Sequence, residues 1–107
     1  MRGSSEFVQL PEPLAEPQRR DFDDLSDYEK RFVHFTLDAI GRKGGFFTEY
    51  HCIEVGLAWV RDVMLHHNWA IGVGSGLNRS YVATDAGRKA LAKLDVILGP
   101  PELPVRT

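Results

Sequence analysis

Apolar positions first become periodic just after Ser26. Tyr28, Phe32, Phe35 and Ala39 fall on one helical stripe, which Val33, Leu37 and Ile40 widen. Ser26 with Glu29 three residues later fits a capping box, so a helix is predicted to begin there. Gly41 and the pair Gly44-Gly45 end it, with Arg42 and Lys43 beside the negative pole of its dipole. Thr48 is the next candidate N-cap, and Glu49 is favourable in the turn that follows. Ile53, Leu57, Val60, Met64 and His67 then recur at spacings of four and three. Gly56 allows two readings: a turn between two short helices, or a tolerated glycine inside one long helix at about 1 kcal/mol against alanine. The unbroken stripe favours one helix, and the residues after it favour two.

Beyond Trp69 the period changes. Ala70-Ile71-Gly72-Val73 and Ser80-Tyr81-Val82-Ala83 are short β-prone runs joined by a glycine- and Asn-rich connection, which predicts a hairpin. Trp69 is expected to close the core beneath it, with Phe46-Phe47 as a short strand alongside. Thr84 or Asp85 caps a final helix with Ala90, Leu91, Leu94, Ile97 and Leu98 on its apolar side. Residues 1–24 read as a flexible arm interrupted by Pro11, Pro13 and Pro17, and the first seven resemble expression-vector sequence. Residues 99–107 form a Pro-rich tail expected to be disordered, which leaves one domain over 25–98.

Two segments carry a family resemblance. Val63-Met64-Leu65-His66-His67-Asn68-Trp69-Ala70-Ile71 looks like a recognition helix turning into a first wing strand. Asn78-Arg79-Ser80-Tyr81-Val82-Ala83-Thr84-Asp85-Ala86-Gly87-Arg88-Lys89-Ala90-Leu91 resembles the second wing strand and following helix of MarR- and PadR-type regulators. The resemblance covers about residues 46–94 and is sharpest at Thr84-Asp85-Ala86-Gly87-Arg88. It implies an α+β, mostly α fold: a winged helix-turn-helix with a three-helix core, a β-hairpin wing and a C-terminal helix. It also implies a small dimeric transcriptional regulator that binds double-stranded DNA, with helix 57–67 in the major groove. Arg79 on the wing, with Arg61, His66 and Arg88, would then contact DNA. Similar small proteins occur on phages and plasmids. Two positions depart from the pattern: Asp62 stands where an apolar residue is common, and Asn68 where glycine is usual.

Charge opens a second reading. Net charge is −2, and between Leu25 and Leu98 nine basic residues face eight acidic ones, so charge alone does not point to nucleic acid. Asp62 beside Arg61 would also repel phosphate. The alternative is a winged-helix protein-interaction module, an accessory or inhibitory factor on a larger protein machine. Trp59, off the main stripe, would suit such an interface, and Val96, Ile97 and Leu98 give an apolar helix end suited to a homodimer.

Other chemistry finds little footing. His51, Cys52, His66 and His67 lack CxxC or HxxxH spacing, so no metal and no cofactor is expected. Cys52 lies on a predicted helix with no oxyanion device, and Gly72-x-Gly74-x-Gly76 lies in a hairpin, which argues against an enzyme. No apolar run approaches the roughly 20 residues that span a bilayer, and the single cysteine fits a reducing compartment. A cytoplasmic protein without membrane contact is the expectation.

Overall fold

A computed structural model describes residues 17–105; the vector-like start, Pro11 and Pro13 lie outside the described residues. Four helices and one hairpin follow in order: α1 (Asp27–Arg42), α2 (Glu49–Ile53), α3 (Ala58–His66), β1 (Ala70–Val73), β2 (Ser80–Ala83) and α4 (Asp85–Leu98). The class is α+β, mostly α. Among these helices none is long and apolar enough to cross a membrane.

Ser26 and Glu29 form the anticipated capping box at the start of α1: the Ser26 hydroxyl accepts from the Glu29 N–H, and the Glu29 carboxylate accepts from the Ser26 N–H. α1 packs against α3, β2 and α4 at once, so its buried face is centred on Val33 and Leu37. Tyr28, Phe32 and Phe35, which the stripe placed at the centre, are only partly buried at its margin. The core is completed by Val60, Val63 and Met64 of α3, Tyr81 of β2 and Leu91 and Leu94 of α4.

Gly56 settles into the left-handed region at φ 84°, and the chain turns there between α2 and α3. The two-helix reading is therefore the observed one. Ile53 is consequently turned to solvent, although its spacing put it on the same stripe as Val60 and Met64.

β1 and β2 pair antiparallel in the register Ala70↔Ala83, Ile71↔Val82, Gly72↔Tyr81 and Val73↔Ser80. A further bridge joins Thr48 to Ser80, and the Tyr81 N–H donates to the Phe47 carbonyl at 2.8 Å. The segment before α2 thus lies along β2, one residue later than Phe46-Phe47; Phe47 is buried while Phe46 is largely exposed.

The Thr84-Asp85-Ala86-Gly87 turn locks the hairpin to α4. Thr84 Oγ1 accepts from the Gly87 N–H at 3.0 Å and donates to the Asn68 carbonyl, while the Thr84 N–H reaches the Trp69 carbonyl at 3.0 Å. Asn68 adopts φ 60°, a conformation Asn tolerates better than most residues. Gly87 lies directly against the Trp69 carbonyl, so a Cβ there would collide with backbone.

Residues 17–24 and 99–105, the described parts of the expected arm and tail, pack on the helices. Phe22 of the presumed arm is buried in the core cluster beside Leu25, around a short 3-10 turn over Phe22–Asp24. The Pro-rich tail lies back over α1 as irregular chain: Arg31 donates to the Leu98 carbonyl at 2.9 Å, and Leu103 and Val105 line a cleft with Arg31 and His34. α1 and α4 are further joined by charge. Arg42 makes a bidentate contact with Asp95 at 2.9 and 3.1 Å, a further Arg42 bond to Asp38 at 2.6 Å, and His34 Nε2 donates to Asp95 at 2.8 Å.

Two predictions follow from these locks. Gly87→Ala should destabilise by about 1–3 kcal/mol through overpacking against fixed backbone, read as a lowered denaturation midpoint in urea. The hydrogen bonds from Arg42, then His34, hold the Asp95 carboxyl down to about 2 from an ordinary 3.8. A depressed carboxylate contributes stability that is complete above 3.8 and is lost as pH falls towards 2. Urea midpoints should therefore drop across that window in the native chain and drop less in Asp95→Asn.

Candidate functional site

α2, the turn at Gly56, α3 and the hairpin form the part of the molecule that the resemblance singled out. What joins them is a buried set of charges. Arg61, 1% exposed, donates from Nη1 to Glu49 Oε2 at 2.7 Å, and from Nε and Nη2 to Asp62 Oδ1 at 3.0 and 2.9 Å. Tyr81 of β2 donates its hydroxyl to the other Glu49 oxygen. One guanidinium thus links α2 to α3, and through Glu49 and Tyr81 to the hairpin. Burial, then the Glu49 contact, pushes the Tyr81 hydroxyl up to about 12. The neighbouring Cys52 thiol is pushed up to about 12 by burial and then by Glu49, which leaves it a poor nucleophile.

This overturns the reading of Arg61 as a DNA contact: its guanidinium is fully committed inside the protein. Asp62, expected on the reading face, is buried with it. No residue of α3 is exposed. His66 is half-buried, its ring edge-on to His67 at 4.8 Å, and it shares a cleft with Pro17, Gln18 and Arg19. Arg88 is exposed but paired with Asp85 and bonded to the Ala83 carbonyl at 3.2 Å. Arg79, half-buried at the end of the hairpin connection, makes no ion pair among the described residues; its Nε leans on the Gly74 carbonyl at 3.4 Å.

The expected interface residues also divide. Trp59 is not the exposed anchor expected of it: its ring packs on Phe32 of α1 at 5.7 Å, because α1 passes over that side of α3. Leu98 is part-buried at the end of α4. Val96 and Ile97 stand free, at 86% and 70% exposure.

Sequence reasoning missed two features. The first is the outer face of the hairpin, where the register sets Ile71, Val73 and Val82 on one side, all exposed, with exposed Leu77 in the connection. The alternation Ile71-x-Val73 was the signal, since strand residues two apart share a face. The second is the convergence of Asp21, His66 and His67, whose side-chain donor atoms lie within 4.8 Å of one another. The Phe22 N–H donates to His67 Nε2 at 2.9 Å, so that lone pair is already taken and the trio is not assigned to metal. His51 is similarly engaged, its Nδ1 accepting the Thr48 N–H at 2.9 Å. No sequence spacing could have announced the trio, because Asp21 belongs to a segment that looked unstructured.

Scans against protein-family models, curated proteins and solved structures found no match.

Arg61→Ala would strand the Glu49 and Asp62 carboxylates without a partner, at a cost of about 3–5 kcal/mol. Arg88→Ala, whose side chain is in water, should change stability by no more than about 0.5 kcal/mol. Chemical denaturation of the two variants checks the contrast.

Proposed function

We propose that the chain is a winged helix-turn-helix module that works by docking to protein, its own copy included, and not by reading base edges. The winged assignment is supported by the sequence of elements: α1, a strand-like segment bridged to the hairpin, α2, α3, the hairpin and α4. The observation that carries the functional reading is the surface of α3. The helix that would enter a major groove offers no exposed residue, and its one arginine is buried. Direct readout requires side chains free to reach base edges; Ala58, Trp59, Leu65 and His66 of α3 are only partly exposed, and of these Trp59 and His66 alone carry a polar side-chain atom.

Exposed apolar surface is present on the hairpin and on α4. The hairpin face of Ile71, Val73 and Val82 suits a foreign protein surface, and Val96 with Ile97 on α4 suits self-association. An accessory or inhibitory factor bound to a larger machine is the matching role. The DNA-binding regulator remains the second reading, favoured by Arg79, which has no carboxylate partner among the described residues, and by exposed Lys89 and Lys93.

Titration against random duplex DNA at two salt concentrations separates them. The docking reading expects no binding at the lower salt, and the same result for Arg79→Ala. Binding that weakens steeply as salt rises would establish phosphate contacts and overturn it. Sedimentation gives the positive arm: the native chain should dimerise, and Val96→Glu with Ile97→Glu should return it to monomer.

A further inference from the structure

Residues 17–25 form a strap that runs from the outer side of α3 to the start of α1. Pro17, Gln18 and Arg19 lie in a cleft with Asp62, Leu65 and His66. Phe22 sits edge-on to Trp69 with ring centroids 5.6 Å apart, and the Lys30 ammonium lies 5.8 Å from the centre of its ring. The polar tie at the centre of the strap is the 2.9 Å bond from the Phe22 N–H to His67 Nε2. His67 is stacked on Trp69 at 4.5 Å and 20°, so the ring has little freedom to turn away. An Nε2 that accepts must belong to a neutral imidazole with its proton on Nδ1. A second proton would set two N–H groups against each other across the same gap.

We propose that His67 is a proton-operated catch: its neutral ring holds the strap down, and its protonated ring releases it and uncovers Asp62, Leu65 and His66 of α3. The surrounding charges set the direction. Burial, the largest influence, keeps the His67 ring below the ordinary 6.5, and the neighbouring His66 acts the same way; Asp21 and Asp23 oppose them. Asp21 Oδ1 is 3.7 Å from Nε2 but already accepts the Asp23 N–H at 2.9 Å. From α4, Lys93 lines the same groove and disfavours a further positive charge. From α1, Lys30 lies over Phe22. A ring held below its free value favours docking fully above 6.5 and progressively less as pH falls beneath it. The released-to-docked ratio then rises by at most about tenfold per pH unit for one proton.

The test is a pH titration of the 15N-labelled full chain by NMR, from pH about 7.5 down to about 5, above the ordinary carboxylate range. The Phe22 amide should leave its docked position, and lose protection from hydrogen exchange, in a step that coincides with titration of the His67 ring. His67→Gln supplies an amide oxygen that accepts without titrating, so Phe22 should stay docked throughout. Asp21→Asn removes a favourable charge, so the ring midpoint should fall and the Phe22 step should move with it. A Phe22 amide that stays docked after the His67 ring has titrated would overturn the proposal. So would a step that persists in His67→Gln, or one that fails to follow the ring in Asp21→Asn.

Discussion

The arrangement of α2, α3 and the hairpin depends on one buried guanidinium. α2 is five residues long, too short to hold itself in a helix without tertiary support. Glu49 opens that helix and is wholly buried, which is tolerable only because Arg61 and Tyr81 satisfy its two oxygens. Replacing the whole set by apolar residues of equal volume need not cost stability, since buried ion pairs repay little more than their own desolvation. Its contribution is geometric: an apolar contact could slide, whereas a guanidinium held by two bonds to Asp62 of its own helix aims its third at Glu49, and Glu49 in turn accepts from Tyr81 of the hairpin. The same commitment removes Arg61 and Asp62 from the surface, so the solution to a packing problem decides what α3 can present.

Much of the fold was legible because it is written in local chemistry. The capping box at Ser26, the hairpin runs and the Thr84-to-Gly87 turn are signalled by residues close in sequence, and all appear where the residues indicated. The turn at Gly56 was half legible: a glycine permits φ 84°, but only the demand that Glu49 meet Arg61 selects the turn over a continuous helix. The site was less legible. Arg61-Asp62 reads as a solvated pair until Glu49, twelve positions earlier, is folded onto it. Trp59 looks unpartnered on a helical wheel because the wheel does not include α1. The end of the arm was misread for the same reason, since Phe22 is a single apolar residue packed on Trp69, far off in sequence.

The covered α3 and the bare hairpin face are two sides of one economy. The chain spends its own residues, Pro17 to Leu25 at one end and the tail beyond Leu98 at the other, on surfaces of the helical core. It leaves exposed the hairpin face and Val96 of α4, while Ile97 borders the groove that Asp21, Phe22 and Asp23 line. Exposed apolar side chains in a small domain usually mark contact with something else; here they lie on the hairpin and α4, and also around α2 at Phe46, Tyr50, Ile53 and Val55.

The hairpin is pinned at its base, and its connection carries a short 3-10 turn, Gly76–Asn78, beside α2. Trp69, Thr84 and Gly87 clamp one end of the pair, and the Glu49 N–H bonded to the Arg79 carbonyl at 2.9 Å clamps the return strand. Between them, Ser75 to Leu77 are exposed and Gly76 sits in the left-handed region. Extra residues there would lengthen a solvent loop whose closure entropy grows only with the logarithm of its length. The molecule therefore carries a natural grafting point at the exposed Gly74-Ser75 start of the connection, ahead of the turn that lies beside α2: a foreign peptide spliced there would be displayed on a fixed stem.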